Sequence, residues 1–540
     1  MNLRNRKWDC PAWIIFGLMG LAGSLVMAYC TAWGATVYSD ATEYILSARS
    51  LLDGKGLGIP GPGGVFLPLT LHPPLYPLVL SGLGWMGLNL LEGARWLNVL
   101  LFGLVITLVS AAVYGVTRRF ILSFLLGLVI FVSPLFLDIF SRAMAEALFF
   151  FLGLSNLFLF VQYLRFPRWR LLVGAGITAG LACLARYTGF VLVISGILLL
   201  LVFPKGNWKK RLLNLGIFIG LAGGLAATWL LPLYLLTQRM AARSLQLGED
   251  LAVALRDARV ALIDLGWSWL PFSQLIEPPP SYAFRGWLMT ALLAVVGTVT
   301  LIVAWKRLRS PGRQLTELGL IHLAGVFGLF AAVYLLFITF SFFFSSPRND
   351  LDGRLLSPFY LALILTIFPL LTWVLWGGRL SRWLAWIPAL GLVVLAAGGL
   401  DRSADFVQTN HRSGSGYTSK AWLSSPAIRA VKELDPGIAV ISNESAAILF
   451  LTDRPAYDVN ELFRTHPSET FTRYGDDPDD PAQLLFQKKQ AVLVVFPNTF
   501  YWQLFPIYGD RTQERLDALF EGLRVDQSFD DGVIYRYSQP

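Results

Sequence analysis

The chain has 540 residues, of which 55% are hydrophobic and only 15% charged. A soluble domain carries about 25% charged residues, so this composition excludes an ordinary soluble enzyme and indicates a polytopic membrane protein. The net charge of +9 does not mark a nucleic-acid binder, because the basic residues sit in short clusters between apolar runs.

Arg4, Arg6 and Lys7 precede the first apolar run, at 12–33. That run is long for the core of a cleaved signal and long enough to cross a bilayer, so it reads as an uncleaved anchor. Further spans are predicted at 97–117, 120–140, 145–164, 171–185, 189–203, 212–236, 286–305, 316–343, 355–376 and 383–400, about eleven in all. The fifth and sixth are short. Only Arg186-Tyr187-Thr188-Gly189 separates them, which reads as a tight hairpin. The stretch from Leu75 to Leu91 is also apolar, but its prolines and Gly82, Gly84 and Gly87 argue for an interfacial or re-entrant piece.

The basic clusters test this map. Arg4/Arg6/Lys7, Arg118/Arg119, Arg165/Arg168/Arg170, Lys205/Lys209/Lys210/Arg211, Lys306/Arg307/Arg309/Arg313 and Arg379/Arg382 all fall on one side when the spans alternate. The positive-inside pattern then puts the N-terminus in the cytoplasm of a multi-pass cytoplasmic-membrane protein. An odd number of spans puts the C-terminal segment outside, together with the loops 34–96, 237–285 and 344–354. Cys10, Cys30 and Cys183 lie in or beside membrane segments, and their spacing suggests neither a metal site nor a disulfide.

After Leu400 the composition turns polar. Residues 437–442, 491–496 and 532–537 read as short buried strands. Trp422, Ile428, Val431 and Leu434, and later Leu516, Leu519 and Leu523, read as helical faces. The expected fold class is therefore a polytopic α-helical membrane protein, residues 1–400, with a small extracytoplasmic α/β domain, residues 401–540.

Five places could carry chemistry. Asp40 and Glu43 follow the first span; they read as a capping box opening an amphipathic interfacial helix, or as carboxylates at a low-dielectric edge that accept a proton or ligate a divalent cation. His72-Pro73-Pro74-Leu75-Tyr76-Pro77 is a rigid re-entry towards the membrane, with His72 either merely interfacial or aimed into the cavity that Asp40 faces. Glu146 opens the fourth span directly before an aromatic run. An acid at membrane depth is a functional candidate, unless it pairs locally with Arg142, four residues earlier. Arg186 at the short hairpin and Arg354 at the start of the tenth span read as snorkelling side chains or as guanidinium forks for a phosphate. No Gly-x-x-x-x-Gly-Lys phosphate loop is present, and four scattered histidines do not suggest a histidine-rich metal site.

This order of elements resembles the GT-C glycosyltransferases, specifically the bacterial family-39-like branch, which is similar to protein O-mannosyltransferases and lipid A aminoarabinose transferases. The features are an acid after the first span, the His-Pro-Pro-Leu-Tyr-Pro loop, an acid opening a later span, the basic-aromatic pair Arg186-Tyr187, and Arg354-x-x-x-Pro358 entering a late span. Val440-Ile441-Ser442-Asn443 resembles the first strand of the trailing domain in this group. The resemblance implies a hexosyl- or pentosyltransferase that uses a polyprenyl-phosphate sugar at the outer face. Asp40 takes the place of the catalytic first-loop acid and Glu146 that of the second acid. Glu43, His72, Tyr76, Arg186, Tyr187 and Arg354 fall where donor or acceptor contacts are expected. Many relatives set two acids side by side where this chain has Asp40 and Glu43 three apart. Metal use varies among relatives, so a divalent cation is left open and no other cofactor is implied.

The reaction implied is an inverting transfer to a hydroxyl of a lipid, glycan or protein acceptor, with Asp40 as base. Its rivals are a transporter or lipid or polysaccharide flippase, and a non-catalytic polysaccharide-assembly protein in which Asp40 is only a helix cap.

Overall fold

The structure, a computed structural model, describes residues 10–202, 207–237, 251–270, 280–291, 315–346, 351–375, 386–459, 491–497, 499–501 and 523–537, with a few single positions or pairs between them. The chain divides into two compact units, each assembled from separated stretches. The first holds 1–32, 70–79 and 94–411; the second holds 33–69, 80–93 and 412–540.

The first unit is helical. Its elements are α1 (Cys10–Cys30), then, after elements of the second unit, α4 (Leu90–Thr117), α5 (Phe120–Phe131), α6 (Pro134–Ser141), α7 (Glu146–Arg165), α8 (Trp169–Ala185), α9 (Phe190–Val202), α10 (Trp208–Thr237), α11 (Leu251–Ser268), α12 (Leu315–Phe344), α13 (Gly353–Leu375) and α14 (Ile387–Ser413). Among the described residues, seven helices are long and apolar enough to cross a membrane. The pair α5–α6, bent by 57° at Val132-Ser133, makes an eighth if counted as one span. The bend follows from Pro134, which cannot donate to the preceding turn. α8 and α9 are shorter apolar helices. The span expected at 286–305 lies mostly outside the described residues, which show helix up to 291. Each of the other expected spans carries helix, and the last continues through the expected end at 400 to Ser413.

Packing in this unit runs α7 and α10 along α8, and α12 along α13. α1 and α4 cross where Gly20 meets Gly103. A Cβ on Gly20 would sit 2.5 Å from the Gly103 carbonyl oxygen, and a Cβ on Gly103 equally 2.5 Å from that of Gly20. Small residues at a membrane crossing let two backbones meet, which gains dispersion contact where the hydrophobic effect is weak.

The second unit contains α2 (Ser39–Leu52), the hairpin β1 (Gly58–Pro60) and β2 (Phe66–Pro68), most of α3 (Leu75–Trp85), and a C-terminal α/β layer. α3 has 11 residues. That is too short to span, in keeping with a re-entrant piece. The helix α2 starts at Ser39 with Tyr38 at its cap and no side-chain cap bond, so Asp40 is the second helical residue and the expected capping box does not form. α2 is also not amphipathic in the expected way. Ala41, Thr42, Tyr44 to Ala48 and Ser50 are all buried, so it is covered on most faces.

The C-terminal layer has α15 (Lys420–Leu423), α16 (Pro426–Glu433), β3 (Val440–Ser442), α17 (Ser445–Thr452), β4 (Tyr457–Asp458), β5 (Val492–Val495), β6 (Leu523–Ser528) and β7 (Val533–Tyr537). The strand order is β4-β3-β5-β7-β6, parallel through β5 and antiparallel beyond it. Alternation divides the core between two faces. Ile441, Leu493 and Val495 pack with Val459 and Phe500 on one face; Val440, Val492 and Val494 pack with Ile428, Val431 and Ile448 on the other. Asn443 fastens β3 to the end of β5, donating to the Phe496 carbonyl and accepting from the Phe496 N–H at 2.9 Å. The three expected strands and the Ile428–Val431 helical face are present. Leu523 does not belong to a helix. It opens β6, paired with Tyr537, while Leu516 and Leu519 lie outside the described residues.

Candidate active site

A buried cluster of ionised side chains forms where α7, the α8–α9 hairpin and α13 meet in the first unit. α6 ends at Ser141, Arg142 is extended, and α7 then begins at Glu146 itself. A carboxylate in the first turn of a helix faces unsatisfied N–H groups and is favoured there. Glu146 is 3% exposed.

Its partners are not local. Arg142 turns back to Asp138, donating through Nε and Nη2 at 3.0 and 2.8 Å. The expected alternative, a Glu146–Arg142 pair, is therefore overturned. Glu146 Oε1 instead forms a close ion pair with Arg186 and lies 3.5 Å from Arg354 Nη1. Arg186 stands at the end of α8 in extended geometry, where the chain turns through Tyr187–Gly189 into α9. The turn is tight: a Cβ on Gly189 would sit 2.4 Å from the backbone of Ala182. Arg354 is the second residue of α13, and it also donates to Met144 Sδ at 3.4 Å and faces Asp352 Oδ2 at 3.6 Å. Asp352 caps α13 by accepting from the Leu355 N–H at 2.6 Å.

The electrostatics follow from the count. Two guanidiniums brought to one place repel each other, and a single deeply buried carboxylate between them offsets that repulsion. The two arginine side chains stay 20% and 28% exposed while Glu146 is at 4%, so the positive groups open outwards and the negative one backs them. Such an arrangement suits a doubly charged oxyanion, which accepts bidentate hydrogen bonds from guanidinium forks.

Tyr76 and Tyr187 lie in the same unit and support the cluster. Tyr76 is fully buried. The Asn98 side chain donates to the Arg142 carbonyl, which fixes the segment leading into Glu146. Tyr187 donates to the Thr70 carbonyl at 3.4 Å. His72 is half-buried in the stretch between Thr70 and Tyr76. Tyr334 was not singled out from the sequence. Its hydroxyl donates to the Leu355 carbonyl at 2.7 Å, tying α12 to the first turn of α13, which carries Arg354. A signal existed, since a tyrosine inside an otherwise apolar span must find a partner for its hydroxyl.

Asp40 and Glu43 belong to the second unit. Asp40 is half-buried at the start of α2, and Glu43 follows one turn on. Burial, reinforced by the charge of Asp40, pushes the Glu43 carboxyl up to about 7. Among the described residues no three His, Cys, Asp or Glu side chains converge as a metal site would need.

Residues 71–236 match the family model described as dolichyl-phosphate-mannose-protein mannosyltransferase. No curated protein matches the chain by sequence. Among solved structures, the chain is similar to ArnT from Cupriavidus metallidurans bound to undecaprenyl phosphate, at 15% identity and TM-score 0.49, covering 97% of each chain. It is similar to the S. cerevisiae Pmt1–Pmt2 complex bound to the sugar donor, at 14% identity and TM-score 0.34, over 42% of this chain and 34% of that one. The arabinofuranosyltransferase AftD from mycobacteria has 14% identity and TM-score 0.46, over 97% of this chain and 40% of that one. The family match on residues 71–236 holds His72, Tyr76, Glu146, Arg186 and Tyr187.

Proposed function

We propose that this chain is a glycosyltransferase that moves a sugar from a polyprenyl-phosphate carrier to a hydroxyl of a lipid, glycan or protein acceptor at the outer face of the cytoplasmic membrane. The observation that carries this reading is the Glu146–Arg186–Arg354 cluster: two guanidiniums held together by one buried acid in a membrane-spanning unit. The family match over residues 71–236, which includes Glu146 and Arg186, supports it. The excess of Lys and Arg in the loops on the opposite side supports the orientation.

In the reaction, Asp40 accepts the proton from the acceptor hydroxyl. The freed oxygen attacks the anomeric carbon as the bond from that carbon to the phosphate oxygen breaks, which inverts the configuration. The electron pair leaves with the lipid phosphate, whose added charge Arg186 and Arg354 stabilise. Glu146 holds the arginines in place. Glu43, His72, Tyr76 and Tyr187 line donor or acceptor.

The test is transfer of radiolabelled sugar from a polyprenyl-phosphate donor by the protein reconstituted in liposomes. Transfer by the wild type and its loss in Asp40→Asn and in Arg186→Gln support the reading. Movement of the labelled lipid across the bilayer without bond cleavage would replace it with the flippase reading.

A further inference from the structure

A second cationic site lies in the first unit, separate from the Glu146 cluster in every lining residue. It is a cavity of about 150 Å³ bounded by the α5–α6 break, the end of α11, the start of α13 and the body of α14. Its charged member is Arg402, on the helix α14.

Arg402 lacks a counter-charge. Its Nη2 makes one long bond, 3.5 Å, to the Gly398 carbonyl of its own helix, and its Nε is shielded from solvent without a hydrogen bond. Among the described residues it makes no ion pair. The acids on the elements around the cavity are engaged elsewhere. Asp138 pairs with Arg142, Asp264 with Arg285 and Tyr282, and Asp352 with Arg354 and the Leu355 N–H. Asp401 and Asp405, on the same helix, are exposed. A half-buried arginine beside a membrane span is costly without a partner, and such residues mark binding sites.

The remaining walls suit an anion. Gly353, the first residue of α13, lines the cavity; Asp352 takes the Leu355 and Leu356 N–H groups of that helix's first turn, which leaves those of Gly353 and Arg354 at hand. The Ser133 and Tyr360 hydroxyls add donors, and the Trp269 ring packs against Tyr360 at a tilt of 33° with ring centroids 4.8 Å apart. The position of Arg402 is built rather than incidental. Three residues before it, a Cβ on Gly399 would sit 2.8 Å from the Val132 carbonyl oxygen. One residue after it, Ser403 donates to that same carbonyl at 2.6 Å. Both contacts press the Arg402 turn against the α5–α6 break. At roughly 10–15 Å³ per water-sized site, the cavity has room for a phosphate and the first atoms of its ester.

We propose that this cavity is a second anion-binding site that takes a phosphate group, held by the Arg402 fork, the α13 N-terminus and the Tyr360 hydroxyl. The phosphate comes from a phosphodiester lipid headgroup or from free phosphate. The site does not depend on the transfer reaction.

The experiment uses delipidated full-length protein in detergent, titrated with phosphatidylglycerol, with phosphatidylcholine of the same chains, and with inorganic phosphate. Binding is read by native mass spectrometry and by the melting temperature. Phosphatidylglycerol is expected to bind at least tenfold more tightly than phosphatidylcholine if the source is a lipid, and inorganic phosphate to raise the melting temperature if the source is the free ion. Arg402→Gln should weaken the effective ligand about tenfold. Tyr360→Phe, which keeps the charge, should weaken it a few-fold and stands in if Arg402→Gln does not fold. Arg186→Gln, in the other cluster, should leave this binding intact. Indifference of binding to Arg402→Gln and Tyr360→Phe, or no preference for any of these anions, overturns the proposal.

Discussion

Glu146 and Arg186 form a buried ion pair that joins the first residue of α7 to the α8–α9 turn, 40 positions along the chain. Because the pair is buried, removing one partner leaves the other desolvated. Arg186→Leu is therefore expected to destabilise the protein by about 3 kcal/mol, with Arg354 at 3.5 Å limiting the loss. Glu146→Gln should do less harm to folding but let the two guanidiniums repel, so the apparent KM for the lipid-linked donor should rise. Thermal melting in detergent and donor titrations separate the two effects.

Asp40 is the second residue of α2 and not its cap. Its loss removes the interaction of one charge with the helix N-terminus, worth roughly 0.5 kcal/mol. In its proposed role as base it contributes on the order of 10²–10⁴ in rate. Asp40→Asn should thus lower kcat by that factor with an almost unchanged melting temperature. A variant that melts normally and transfers sugar at the wild-type rate removes Asp40 from catalysis.

Glu43 predicts a pH dependence of stability. Its carboxyl rises from 4.5 to about 7 on folding. The folded state therefore binds the proton more tightly than the unfolded one. This contribution is fully present below pH 4.5 and is lost as pH rises through 7. The loss is at most roughly 3 kcal/mol. Glu43→Gln removes it. Melting curves from pH 5 to pH 8 should show the wild type falling more steeply than the variant.

Gly103 sets how closely α1 and α4 approach. A methyl group there would meet Ser24 Oγ as well as the Gly20 carbonyl oxygen, the latter at 2.5 Å. Gly103→Ala is expected to push the helices apart and cost about 1–3 kcal/mol. The same substitution at Gly220, where a Cβ would meet nothing within 4 Å, should be neutral. Paired melting measurements of the two variants decide this.

The membrane helices were legible because apolar length is a one-dimensional property, and residues 146–165 needed no partner to be recognised. The three interior strands were legible because Val440, Val492 and Val533 open short runs rich in β-branched residues. β6 was not, since its residues Leu523–Ser528 are mostly exposed and Leu523 also continues the helical spacing of Leu516 and Leu519. At the candidate site, Glu146, Arg186 and Arg354 were each visible as ionised residues at span ends. Their convergence was not, because the sequence offers only Arg142 as a nearby partner for Glu146, and the packing of α7 against α8 and the placement of α13 bring Arg186 and Arg354 instead. Arg402 escaped notice because the expected span ended at 400 and the helix does not.

The strand-like edge at Ala35–Val37 is completed by residues made 380 and 383 positions later. The Tyr417 N–H donates to the Val37 carbonyl at 2.8 Å, and Thr418 Oγ1 to the Ala35 carbonyl at 3.0 Å. During synthesis the loop after the first helix emerges early, yet its hydrogen-bonding groups stay unpaired until residue 418 has left the ribosome. A nascent protein stalled before that point would present this loop, Asp40 included, to proteases. Maturation of this early segment thus reports on completion of the latest one.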